Sequence, residues 1–272
     1  MFKKISTISN NKLFSYMGSK DRYKKLYQEF ILKSNKTIYV EPFLGSGVIF
    51  LNLPKTFEKY YLAEKDSCLF NLFSHLINKT FNYNNFVKYY SDVDTKYILS
   101  SYDGYYLYRE EFNKTLWKTN SVEEAYGIIF LTTNCINSMY RFGNNGFNAS
   151  FGSCFFNSFK LNQVKNVINY LNNLSNIFLF KDYSEVICIK NSLQIVDPPY
   201  YLSNLANNYW NETNTKTLVE NLNLDNDIIY SDIKNAYGDT KFKNYIEPNI
   251  LKNIAPSRKK ETLHKEVFYY NF

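Results

Sequence analysis

Residues 37–64 constrain the fold more than any other stretch. Thr37-Ile38-Tyr39-Val40 is a short β-branched and aromatic run, as in a buried strand. It breaks into Glu41-Pro42-Phe43-Leu44-Gly45-Ser46-Gly47, a turn-rich loop. Residues 48–53 then read as one or two helical turns, stopped by Pro54. Tyr60-Tyr61-Leu62-Ala63 reads as a second strand and ends at the acidic Glu64, after which a helical pattern follows with Leu69, Leu72, Phe73, Leu76 and Ile77 on one face. Strand, glycine-rich turn, helix and a strand ending in an acid form the opening of a nucleotide-binding α/β sheet.

From about residue 67 to 160 the strand signal fades. Residues 86–99, 105–112 and 122–135 read as helices, and Asn144-Asn145-Gly146 between aromatics suggests a hairpin. This block reads as an insertion in the sheet domain. Residues 161–174 are again helical. The sheet resumes with strands at 177–180, 193–196, 227–230 and 266–271.

Hydrophobic residues make up 45% of the 272, enough for a sizeable core. No stretch is apolar for long enough to span a bilayer, and the basic start Met1-Phe2-Lys3-Lys4 lacks the apolar run of a secretory signal. Cys68, Cys135, Cys154 and Cys188 form no CxxC pair, and neither His75 nor His264 neighbours one of them. The expectation is a cytoplasmic protein with reduced thiols and no metal site. The net charge of +7 is compatible with a polyanionic partner but does not require one.

The strongest chemical signal is Ile195-Val196-Asp197-Pro198-Pro199-Tyr200. Two prolines end an apolar strand because they donate no N–H, which sets Asp197 at the carboxyl edge of the sheet, where open α/β sheets bind ligands. An exocyclic aromatic amine is a poor nucleophile, since its lone pair is delocalised into the ring. A site helps it by accepting both amine hydrogens, one on the Asp197 carboxylate and one on the Pro198 carbonyl. Tyr200 is suited to stack on a flat base. Gly45 and Gly47 let backbone approach a ligand closely, and an acid at Glu64 suits ribose hydroxyls. The absence of a GxxxxGK[ST] pattern favours a nucleoside without phosphates over ATP. Taken alone, Tyr16-Met17-Gly18-Ser19-Lys20 is a turn with a surface lysine.

These fragments resemble, in order, the Dam-type (D12 class) DNA adenine methyltransferases. Tyr16-Met17-Gly18-Ser19-Lys20 is similar to the family's N-terminal motif, and the 41–47 loop to its EPFxGxG. Arg109-Glu110-Glu111-Phe112-Asn113 resembles its RxxFN. Asn137-Ser138-Met139-Tyr140-Arg141, Gly146-Phe147-Asn148 and Phe151-Gly152 resemble a long block that follows, and Asp197-Pro198-Pro199-Tyr200 its catalytic motif. The resemblance implies a Rossmann-like class I methyltransferase sheet, mostly parallel with an antiparallel C-terminal strand. Residues 1–66 and 161–272 would form this S-adenosylmethionine-binding catalytic domain. Residues 67–160 would form a mainly helical target-recognition domain with a hairpin. It further implies methyl transfer to N6 of an adenine flipped from double-stranded DNA, with GATC as the family's common target.

On the same footing, Tyr16 and Lys20 would contact the amino-acid end of S-adenosylmethionine. Phe43, Gly45, Ser46 and Gly47 would pack on it, and Glu64 would hold the ribose, with Asp66 as the alternative. Asp197, Pro198, Pro199 and Tyr200 would handle the adenine. Arg109, Asn137, Met139 and Arg141 would contact backbone and bases or wedge into the duplex. Glu64 stands where the family usually has Asp, Ser138 where it has Gly, and Ser153-Cys154 where some relatives carry a basic-aromatic pair. Arg258-Lys259-Lys260 reads as a solvated loop. Two other readings stay open: a methyltransferase acting on another amine, such as cytosine N4 or RNA, and a non-catalytic DNA-binding protein on the same fold.

Overall fold

The computed structural model describes residues 10–16, 18–152, 158–201, 210–248 and 266–272, with the side chains of 158 and 159 set aside. Met17, Ser153, Cys154, Arg258, Lys259, Lys260 and His264 therefore lie outside the described residues. The chain runs through α1 (Lys24–Lys33), β1 (Ile38–Glu41), β2 (Lys59–Ala63) and α2 (Ser67–Ile77). Helices α3 (Tyr83–Tyr97), α4 (Tyr102–Thr115) and α5 (Val122–Asn134) follow, then the hairpin of β3 (Phe142–Gly143) and β4 (Gly146–Phe147). Next come α6 (Ser158–Asn172), β5 (Ile177–Phe180), α7 (Ser184–Ile187) and β6 (Ser192–Val196). The last elements are α8 (Glu212–Asn221), β7 (Asp227–Ile233), α9 (Ala236–Lys241), β8 (Asn244–Ile246) and β9 (Glu266–Tyr270).

Among the described residues, seven strands form one sheet in the order β5-β2-β1-β6-β7-β9-β8. The first five are parallel, and β9 runs antiparallel between β7 and β8. This is the Rossmann-like sheet with a reversed last strand that the resemblance implied. Side chains alternate cleanly across it, as a pleated strand buried on both faces requires. Tyr39, Leu193, Ile195, Ile229 and Phe268 enter a core shared with α1, α2, α5 and α6. Val196, Ile228, Tyr230, Val267 and Tyr269 enter the core on the other face, beneath Leu218 and Val219 of α8.

The expected turns at 48–53 are a single 3-10 turn, Phe50–Asn52, and Leu53 is extended before Pro54. A residue preceding proline is pushed out of the helical region. In the hairpin the positive φ falls on Gly146, after the two-residue Asn144-Asn145 turn. Five elements have no counterpart in the sequence reading: α1, α7, α8, α9 and β8.

Candidate active site

The chain leaves β1 toward β2 on one side and returns at β6 on the other, so the crevice between β1 and β6 lies where the strand order reverses. The loop after β1 lines it. Gly45 and Gly47 have φ of +52° and +65°, conformations that strain any residue with a Cβ. A Cβ on Gly47 would also lie 2.6 Å from the Phe73 ring. Glu64, just past β2, ties the loop down. Its Oε2 accepts the Gly45 N–H at 2.6 Å and its Oε1 the Asp66 N–H at 2.8 Å. Burial pushes its carboxyl up to about 8 despite these donors. Asp66 caps α2 through the Cys68 and Leu69 N–H groups and accepts the Tyr140 hydroxyl at 2.5 Å.

The N-terminal segment lies across this loop. Tyr16 is 3.4 Å from where a Gly45 Cβ would sit and packs against Tyr140, with ring centroids 5.5 Å apart. Ser19 Oγ meets Ser46 Oγ at 3.4 Å. Lys20 is only 5% exposed, so its reading as a surface lysine is wrong. Its ammonium lies 2.7 Å from Asp197 Oδ2 and 3.3 Å from Glu266 Oε1, and it donates to the Gly18 carbonyl at 3.0 Å. Lysine is buried only when such partners compensate lost hydration.

Asp197 follows β6 directly. Its Oδ1 accepts Ser231 Oγ at 2.8 Å and the Tyr200 hydroxyl at 3.1 Å, and 22% of its side chain stays exposed. Burial raises its carboxyl above the ordinary aspartate value; Lys20 opposes that rise and Glu266 adds to it. The single Tyr200 hydroxyl hydrogen has a nearer acceptor in Glu266 Oε1, at 2.6 Å, and Lys20 Nζ sits 5.0 Å from the Tyr200 ring centre. Pro198 is buried and Pro199 partly so. Phe43 stacks on Tyr183 at 5.1 Å and meets the Trp210 edge at 5.4 Å. Tyr16, Lys20, the 43–47 loop, Glu64, Asp197 and Tyr200 thus meet at the carboxyl edge of β1, β2 and β6 from four stretches of chain.

The residues expected at DNA gather around the β3–β4 hairpin. Arg109 of α4 donates to the Ala149 carbonyl at 3.0 Å and stacks 4.4 Å above the Tyr106 ring. Asn113, one turn on, binds both backbone groups of Phe147, at 2.8 and 3.0 Å. Arg141 is exposed and spans the hairpin to Asn148 through two 2.7 Å bonds. Asn137 and Ser138 take φ of 56° and 50° at the end of α5; Asn137 is exposed, and Met139 packs against the core. Arg109, Glu110, Asn113, Lys114, Tyr106 and Asn145 line a cleft of about 410 Å³.

Several neighbours of the site were not singled out from sequence. Ser231 of β7 holds Asp197 and is itself held by the Tyr27 hydroxyl at 3.0 Å. Glu266 was legible only as the first residue of a terminal strand, and Tyr183 had no signal beyond being aromatic. Each depends on pairing between distant stretches of chain, which a local pattern does not encode.

The profile of the D12 class N6 adenine-specific DNA methyltransferase family matches residues 16–247. A DNA adenine methylase of Serratia marcescens is 34% identical over 116 residues, 42% of this chain and 39% of that protein. One from Haemophilus influenzae is 28% identical over 173 residues, 61% of this chain and 56% of the relative. One from Escherichia coli K12 is 28% identical over 190 residues, 68% and 64% of the two chains. The chain therefore spans between about two fifths and two thirds of the length of these relatives. Among the described residues no helix is long and apolar enough to cross a membrane.

Proposed function

Because this chain belongs to the D12 class N6 adenine-specific DNA methyltransferase family, we propose that it methylates N6 of an adenine flipped from a short, GATC-like site in double-stranded DNA, with S-adenosylmethionine as donor. Family membership implies a methyl donor; the features of the crevice support this particular one. Gly45 and Gly47 carry no Cβ, so backbone lines the crevice closely. Two carboxylates, Asp197 and Glu266, face one ammonium, Lys20, and the resulting negative balance suits a sulfonium cation. When bound, S-adenosylmethionine supplies an electrophilic methyl group. Tyr16, Lys20, Phe43, Gly45, Ser46, Gly47 and Glu64 would hold it.

The observation that carries the reading is Asp197 at the carboxyl edge of β6, tied to the N-terminal segment by Lys20, with the Tyr200 hydroxyl three residues on and 3.1 Å from its Oδ1. Adenine must leave the stack, because its amine is inaccessible within the duplex. Asp197 accepts one amine hydrogen and the Pro198 carbonyl the other, while the Tyr200 ring holds the base in plane. Asp197 Oδ2 is occupied by Lys20, so the incoming amine competes with that ammonium for the carboxylate. Residues 1–66 and 161–272 would carry out this step. Residues 67–160 would read the duplex, with Arg109, Asn137, Met139 and Arg141 at phosphates and bases.

The test is to express the chain in cells lacking adenine methylation and to sequence their DNA with modification detection. Methylated adenine at one short site is expected. Asp197→Ala should lower transfer by at least about a hundredfold by removing the main acceptor of developing charge. DNA that stays unmodified while it binds the protein, or an Asp197→Ala variant as active as the parent, would sink the proposal. Methyl groups on cytosine or RNA would redirect it.

A further inference from the structure

Resting on the Asp197–Tyr200 reading above, we infer that Glu266 is a positioning residue of the transfer step, fixing the Tyr200 ring by its hydroxyl and leaving Asp197 free to serve the amine. The topology explains how a residue so far along the chain reaches the crevice. Strand β9 is antiparallel to β7, with Glu266 opposite Ile233. The start of β9 therefore lies at the carboxyl edge of the parallel strands, two residues beyond the level of Asp197. In a parallel strand at that position, the first residue would fall at the opposite edge.

Glu266 has 11% of its side chain exposed and collects three donors from two stretches of chain, the 3-10 turn Lys20–Tyr23 and the loop after β6. Tyr200 donates at 2.6 Å, Lys20 lies at 3.3 Å, and the Tyr23 hydroxyl is a further donor. Among the described residues, Glu266 at 2.6 Å is a nearer acceptor for the Tyr200 hydroxyl than Asp197 at 3.1 Å. That difference matters chemically. Asp197 Oδ1 already accepts from Ser231, and its Oδ2 faces Lys20. If Asp197 alone anchored the Tyr200 hydroxyl, an arriving amine would have to take that anchor away, and the ring would lose its hold as the base stacks on it. With Glu266 as acceptor, ring and carboxylate act independently. Glu266 also shares Lys20, so the ammonium is not drawn wholly onto Asp197 and the carboxylate keeps charge to offer the amine. A purely structural ion pair between the N-terminal segment and β9 would instead affect stability and leave turnover alone.

The experiment measures steady-state methyl transfer from labelled S-adenosylmethionine to plasmid DNA prepared without adenine methylation. Glu266→Gln, Tyr200→Phe, the double variant and Asp197→Ala are compared with the parent, and melting temperatures are recorded for each. Glu266→Gln should lower kcat about tenfold, with KM for DNA and donor within about twofold. Glu266→Gln leaves the Tyr200 hydroxyl only a neutral amide oxygen to bond, and Tyr200→Phe abolishes that bond from its other end, so it should lower kcat in the same direction. The double variant should lose clearly less than the product of the two single effects, because both act through one bond. Wild-type kcat in Glu266→Gln, or single effects that multiply, overturns the inference. If Glu266→Gln does not fold, Tyr200→Phe decides: an undiminished kcat overturns it. Asp197→Ala keeps the two claims apart. If that variant stays active, the catalytic assignment itself fails. If it is inactive while Glu266→Gln is unaffected, only the role of Glu266 falls.

Discussion

Glu41 ends β1 with its carboxylate buried, accepting the Tyr39 hydroxyl at 2.6 Å and the Phe50 N–H at the start of the 3-10 turn. Burial outweighs both donors and pushes its carboxyl from 4.5 up to about 8. Folding therefore favours the protonated form. This contribution to stability is complete below about 4.5 and is lost as the pH rises through about 8. Glu64, also raised to about 8, and Asp232, raised to about 7, act with the same sign. Urea unfolding at pH 5 and pH 8.5 should show the parent losing more stability across the interval than Glu41→Gln, by an amount on the order of a few kcal/mol. Equal losses would show that Glu41 ionises in the folded protein as it does in the open chain.

Among the elements, the β3–β4 hairpin is too short to hold itself, since each strand has two residues. It is clamped from α4: Asn113 takes both backbone groups of Phe147, and Arg109 takes the Ala149 carbonyl. A Cβ on Gly146 would lie 2.3 Å from Asn113 Oδ1, which accounts for glycine there. Asn113→Ala should loosen the hairpin by about 1–3 kcal/mol through two unpaired backbone groups. Amide exchange at residues 142–152 should rise while β1 and β6 stay protected; unchanged exchange would show that the clamp is not needed. The elements that were legible in sequence carry their signal locally. β1, β2 and β6 are dense in β-branched and aromatic residues, and α2 repeats its apolar side chains at helical spacing. Helix α8 was not legible, because only Thr215, Leu218 and Val219 are buried and an Asn211–Asn214 capping box starts it. β8 is only three residues long, mostly exposed and at the sheet edge. The site divides in the same way. Asp197 to Tyr200 announce themselves because two prolines must end a strand. Lys20 was misread as a surface residue because its burial depends on carboxylates more than 170 positions away.

For the molecule as a whole, the net charge of +7 makes duplex binding dependent on counterion release, if DNA is the substrate. Binding measured between about 50 and 200 mM salt should weaken with a log–log slope steeper than about −3, which corresponds to several neutralised phosphates. A flat response would argue against a phosphate-tracking surface. The crevice joins the N-terminal segment, the two central strands and the last strand, so it is completed only by contacts of very long sequence separation. The inner position of β9 has an outcome during synthesis. Among the described strands, β8 pairs with β9 alone. A nascent polypeptide stopped before residue 266 would hold β8 without a neighbour and Lys20 with one counter-charge fewer. The crevice thus reaches its final form only once residues 266–270 have left the ribosome.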